Sequence, residues 1–159
     1  MKTNRIISGI IIGIIMFLLI SCAKVGETDK TKTEITFTEK AEIYREAGCG
    51  CCGNYIKYLS DHGIDVKEIK LHDVEDIKRT FNIPKNAWSC HTMRVGKYFV
   101  EGHVPIEAIQ KLLEEKPEID GIALSGMPPG SPGMPGRKTA PFTIYSILNG
   151  SIQGVFVKI

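Results

Sequence analysis

The stretch "REAGCGCCGNYIKYL", Arg45–Leu59, decides how this chain is read. It places Cys49, Cys51 and Cys52 within four positions and follows them with Tyr55, Ile56 and Leu59 at helical spacing. Before it, Ala41–Glu46 alternates as a strand does; after it, Asp61-His62-Gly63 carries a helix stop. A strand running directly into cysteines that open a helix puts the sulfurs at a helix N-terminus. The helix dipole there favours thiolate over thiol. Cys49 and Cys52 have the C-x-x-C spacing of a thiol redox centre. Cys51 is a third thiol that such a pair does not need.

Working outward, Val66–Leu71 alternates with one slip and reads as a second strand, and Val74–Phe81 reads as a short helix closed by Asn82-Ile83-Pro84. Thr92–Val95 and Tyr98–Glu101 flank Gly96-Lys97, a two-residue hairpin signal. Pro105–Glu115 is a helix with Ile106, Ile109, Leu112 and Leu113 on one face. Ile122–Leu124 is a short apolar run. The segment "GMPPGSPGMPG", Gly126–Gly136, is too rich in Pro and Gly for helix or strand and reads as an irregular, conformationally restricted loop. Thr143–Leu148 and Ser151–Val157 form a closing hairpin around Asn149-Gly150.

This order predicts an α/β fold: a thioredoxin-like domain with an additional C-terminal Met/Pro/Gly loop and β-hairpin. In thioredoxins a cis-proline faces the C-x-x-C pair. Here the equivalent place reads Trp88-Ser89-Cys90-His91-Thr92, so a fourth thiol falls where that proline would be.

The N-terminus sets the compartment. Lys2 and Arg5 precede Ile6–Ile20, an uncharged apolar run of 15 residues. That is short for a membrane span, which needs about 20 residues, and suits a secretory signal. Leu19-Ile20-Ser21-Cys22 resembles a bacterial lipobox, in which the cysteine is lipidated and becomes the first mature residue. The expected organisation is a lipoprotein signal peptide over 1–21, lipidated Cys22 with a polar tether over 22–40, and a metal-binding domain over 41–159. Acyl chains worth about 0.8 kcal/mol per buried methylene would hold it to the cell envelope, facing the periplasm. Ala23 after the cysteine favours the outer membrane.

The chain has 159 residues, 43% hydrophobic and 24% charged, which suits one globular domain with a modest core. Formal net charge is +2. Without Lys2 and Arg5 the 20 basic residues become 18, matching 18 acidic ones. No basic excess is left for nucleic acid.

With Cys22 assigned to lipid, the remaining thiols are Cys49, Cys51, Cys52 and Cys90, a soft anionic set suited to Cu(I), zinc or iron–sulfur clusters. Zinc sites usually pair C-x2-C units, and one such unit is present, so zinc is the less favoured metal. Cu(I) accepts low coordination and bridging thiolates, which makes crowding no obstacle to binding more than one ion. His91 adjoins Cys90, and His103 ends Glu101-Gly102-His103; both are candidate ligands. Met127 and Met134 bracket the Pro/Gly loop, and thioethers bind Cu(I) without deprotonation. The competing readings are gap-filling methionines, a structural disulfide, and a thiol-disulfide or copper-linked oxidoreductase using Cys49 and Cys52. His62 and His72 read as surface residues, Trp88 as a core or lid aromatic.

Four motifs in order, "CGCCG", "WSCHT", "EGHVP" and "GMPPGSPGM", are similar to those of a family of small exported metal-binding proteins, formerly a domain of unknown function, that includes the copper-resistance protein CopG. The likeness covers roughly residues 41–157. It implies a thioredoxin-like fold, an exported location and a thiolate copper cluster on Cys49, Cys51, Cys52 and Cys90, with His91, His103, Met127 and Met134 at motif positions. The implied partners are copper ions, the membrane through the N-terminal lipid, and other envelope copper-handling proteins. The lipobox departs from the family pattern.

Overall fold

A computed structural model describes residues Lys40–Ile159. The expected signal peptide, Cys22 and the expected tether lie outside the described residues.

Seven strands form one mixed sheet in the order β2-β1-β3-β4-β5-β6-β7. β1 (Ala41–Glu46) runs parallel to β2 (Val66–Leu71) and antiparallel to β3 (His91–Val95). The β3 hairpin continues into β4 (Tyr98–Glu101), which pairs in parallel with β5 (Gly121–Ala123). β6 (Thr143–Leu148) and β7 (Ser151–Lys158) complete the sheet antiparallel. The two parallel pairs are joined through helices, as parallel neighbours require: α1 (Gly50–Asp61) between β1 and β2, and α3 (Ile106–Glu115) between β4 and β5. A short α2 (Glu75–Thr80) and a 3₁₀ turn at Lys85–Ala87 lead from β2 to β3. Every strand and helix expected from residue 41 onward is present, with ends moved by a residue or two. The largest shift is at α1, which starts at Gly50 and so takes Cys51 and Cys52 into its first turn, with Cys49 extended at the cap position.

Alternation explains the layering. In β1, Ala41, Ile43 and Arg45 are buried while Glu42, Tyr44 and Glu46 are more exposed. β4 and β5 are buried throughout because both faces are covered. On one side Val100 and Ile122 join Tyr55 and Leu59 of α1, Ile109 and Leu112 of α3, and Met93, Val95 and Ile144 in the main core. On the other, Phe99, Ala123 and Ile147 pack with Ile83 and Ala87, and Phe81, Trp88 and Ile152 close over them. Trp88 is thus a half-buried aromatic of the second core, its indole N–H donating to the Ile83 carbonyl at 2.8 Å. Among the described residues no helix is long and apolar enough to cross a membrane.

Candidate metal centre

The site forms where the β1–α1 turn meets the start of β3. Arg45, at the end of β1, holds the turn: its Nη1 donates to the carbonyls of Glu46 at 2.9 Å, Ala47 at 3.1 Å and Cys49 at 3.3 Å. Its Nε donates to Glu68 at 2.6 Å on the neighbouring strand. α1 then carries its sulfurs over the edge of the sheet, Cys52 fully buried and Cys49 and Cys51 half-buried.

Cys90 is the hub. Its Sγ lies 3.5 Å from Cys52 Sγ and 3.9 Å from Cys51 Sγ, and Cys51 Sγ is 3.5 Å from Cys49 Sγ. All four sulfurs fall within 4.8 Å of one another. Cys49 and Cys52 are joined by a disulfide, while Cys51 and Cys90 are free. The C-x-x-C pair is therefore oxidised, and its two sulfurs become metal-binding thiolates only after two electrons are added.

Two imidazoles complete the cluster. His103 Nε2 is 3.0 Å and His91 Nδ1 3.3 Å from Cys90 Sγ. His103 Nδ1 lies 2.6 Å from the Pro132 carbonyl. A carbonyl only accepts, so Nδ1 bears the proton and the Nε2 lone pair faces the sulfur. That is how outer hydrogen bonds orient a metal-binding histidine. His91 is fully buried, and its Nε2 is without a hydrogen-bond partner among the described residues. Tyr55 wedges against both rings, with centroids 4.6 Å from His91 and 5.3 Å from His103, and its hydroxyl donates to the Val104 carbonyl at 2.8 Å.

Burial dominates the electrostatics. It holds His103 below, and His91 well below, the usual imidazole range; the neighbouring His103 and Lys78 push His91 further down. Both rings are then neutral, the form that coordinates metal. Burial, and then the adjoining Cys51, push the Cys90 thiol up to about 12, so a metal entering here displaces a proton.

The Pro/Gly loop forms the outer wall. Gly130 N bonds the Pro135 carbonyl at 3.0 Å, Met134 N the Ser131 carbonyl at 2.9 Å, and Ser131 Oγ the Pro128 carbonyl at 2.7 Å. The loop lies flush on α1 at Gly133, where φ is +78° and a Cβ would come within 2.6 Å of Tyr55 N and 2.9 Å of Cys51 O. Met134 lines an open groove of about 700 Å³ with Cys51, Asn54, Gly133 and Pro135. Met127 is 52% exposed and outside that groove. Of the eight sequence-derived candidates, the structure brings the four cysteines and two histidines together, sets Met134 beside Cys51, and leaves Met127 on the surface. His62 and His72 are exposed.

A model of the family described as "Protein of unknown function, DUF411" matches residues 87–134, which begin just before Cys90 and end at Met134. Two solved structures of copper resistance protein CopG superpose on the chain. Form 2 is 34% identical with a TM-score of 0.70, covering 76% of this chain and 98% of its own. Form 1 is 35% identical with a TM-score of 0.68, covering 76% and 96%. The chain belongs to the CopG/DUF411 family. No curated protein sequence matches it. The DUF411 match spans Cys90, both histidines and the Met loop, and leaves the C-G-C-C segment outside. Cysteine spacing and the family model thus read different halves of one site.

Sequence reasoning passed over several residues around it. Tyr55 was legible as a core residue but not as the wedge between two histidines. Arg45 grips carbonyls one to four residues on, and the Pro132 carbonyl meets a histidine 29 positions away; neither contact has a signature in the sequence. Lys78 and Glu101 form a fully buried ion pair at 2.6 Å. The signal for Lys78 is its place four residues after buried Val74, the residue that caps α2; for Glu101, its place at the end of the apolar run Tyr98-Phe99-Val100.

Proposed function

We propose that this protein carries Cu(I) as cargo in a multi-cysteine cluster, for copper sequestration, relay or resistance. The observation that carries the reading is the convergence of Cys49, Cys51, Cys52 and Cys90 with neutral His91 and His103. Thiolates and imidazoles are donors copper accepts, and four closely spaced sulfurs bridge several ions more readily than they wrap one. The related proteins' name, copper resistance protein, agrees with this donor set. Met134 would offer a thioether at the groove and Met127 one further out; zinc is the weaker fit. The topology β-α-β-α-β-β-α with order β2-β1-β3-β4 supports reading the first part as a thioredoxin-like core that β5, β6 and β7 extend. We place the protein in the bacterial cell envelope, lipid-anchored through Cys22 and facing the periplasm, where other copper-handling proteins would exchange ions with it.

The disulfide favours a second reading, a copper-linked thiol oxidoreductase. Two Cu(II) ions would each accept one electron as the Cys49 and Cys52 thiols close to a disulfide and release two protons.

The test uses the full chain in mild detergent, reduced anaerobically, loaded with Cu(I), desalted and assayed for copper per chain. The expected result is more than one copper per wild-type chain, falling in Cys51→Ser, which keeps the Cys49–Cys52 pair. Loss of all copper to a moderate chelator, with a disulfide that still forms reversibly, would leave only the oxidoreductase. Incorporation of labelled fatty acid into the wild type but not into Cys22→Ala tests the anchor.

A further inference from the structure

The one fully buried ion pair among the described residues, Lys78–Glu101, has no role in binding sulfur or metal. Such a pair is an expensive structural element, since well-packed apolar residues of similar volume are often as stable or more so. What Glu101 holds is informative. Its Oε1 accepts from Lys78 Nζ at 2.6 Å and from the backbone N–H of Ser89 at 2.6 Å, and its Oε2 accepts from Thr92 Oγ1 at 2.5 Å. Lys78 Nζ also donates to Thr92 Oγ1 at 3.1 Å, closing the network. Ser89 and Thr92 are the residues on either side of Cys90-His91. One carboxylate therefore grips the chain immediately before the hub thiol and immediately after the buried imidazole.

Side chains alternate across a sheet, so Thr92 faces away from the side on which His91 meets Tyr55. The ion pair and the sulfur cluster lie on opposite faces, and the coupling runs through the backbone. The same turn is clamped once more: Gly102, following Glu101, donates its N–H to the His91 carbonyl at 3.0 Å. At φ +78°, a Cβ on Gly102 would lie 2.7 Å from Ser89 Cβ.

We propose that Lys78 and Glu101 are positioning residues for the copper site: the charge-balanced carboxylate fixes Cys90 and His91 by holding Ser89 and Thr92. The inference rests on the copper-binding reading for its consequence, but its geometry can be tested without metal. Glu101 touches no ligand atom, yet sets where the thiol bridging Cys51 and Cys52 stands. Lys78 supplies the charge that lets a carboxylate sit there at all.

The experiment compares wild type, Glu101→Gln, and the apolar double variant Lys78→Met/Glu101→Leu, each as the full chain in detergent. Copper-free protein with Cys49–Cys52 closed is treated with iodoacetamide, and labelling of Cys90 and Cys51 is followed by peptide mass spectrometry. Cu(I) affinity of the reduced protein is then measured by competition with a chromophoric chelator. Freed Cys90 should alkylate several-fold faster relative to Cys51 in both variants. Copper affinity should fall about 10- to 100-fold, the usual effect of losing an outer contact that orients a metal ligand. The double variant leaves no unpaired charge, so it should melt closer to wild type than Glu101→Gln does, while keeping the altered Cys90 reactivity. A purely structural pair would also lower melting in Glu101→Gln, but would leave the Cys90-to-Cys51 labelling ratio unchanged in both variants. That result overturns the proposal. If wild type itself retains no copper, the copper reading fails, and the labelling ratio alone still decides the positioning role.

Discussion

Tyr55 shows how one side chain serves packing and site together. Tyr55→Phe keeps the ring against His91 and His103 but removes the hydroxyl donated to Val104 O. The buried acceptor left behind should cost about 1–3 kcal/mol in urea unfolding, with copper per chain unchanged. Cys90 gives a prediction in pH. Its folded-state pKa is raised to about 12, so its contribution to stability is fully present below the unfolded thiol value of about 8.5 and is lost as pH rises towards 12. Tyr55, also raised by burial, acts in the same direction from a higher starting point. Melting temperature measured from pH 7 to 10.5 should therefore fall on the alkaline side, beginning later in Cys90→Ser. The cysteines were legible in the sequence because their spacing is local. Lys78 and Glu101 were not legible as a pair, because the apolar neighbours that hint at the burial of each do not name the partner that neutralises it, here 23 positions away.

At the scale of elements, the Pro/Gly loop and α1 form one structure. Gly133→Ala places a Cβ in the left-handed region against the α1 backbone. It should cost about 1–3 kcal/mol in conformation alone. It should also weaken copper binding, because lifting the loop withdraws the Pro132 carbonyl from His103. Gly53, inside α1, is the contrast: nothing lies within 4 Å of a Cβ added there. Gly53→Ala should stabilise by up to about 1 kcal/mol through helix propensity, read by the same denaturant titration. The helices and strands were legible from their apolar periods and turns, and so was the loop's restriction. Its seat was not, since a Gly/Pro-rich segment announces turns without naming what they rest on.

Across the whole molecule, stability resides in two cores that flank the sheet, both apart from the sulfurs. Leu112→Ala in the main core should cost about 2–5 kcal/mol. Reducing Cys49–Cys52, a bridge between residues only three apart, should cost about 2 kcal/mol or less by loop entropy. Calorimetry of oxidised, reduced and Leu112→Ala protein would rank them in that order, so copper-competent reduced protein remains folded. The strand–helix order made the β2-β1-β3-β4 part legible, while attachment of β5 to β4 depends on how α3 crosses over and had no local signal. That attachment has a consequence in time. With β3 on one side and β5 on the other, β4 is an interior strand, and its amides open to solvent only when the sheet comes apart. The β1–α1 turn has no such double pairing and can open locally. Deuterium should therefore enter Ala47–Cys51 long before Tyr98–Glu101. The half of the site bearing His103 keeps a fixed clock set by global unfolding, and the half bearing Cys51 runs on a faster one, suited to the side through which an ion comes and goes.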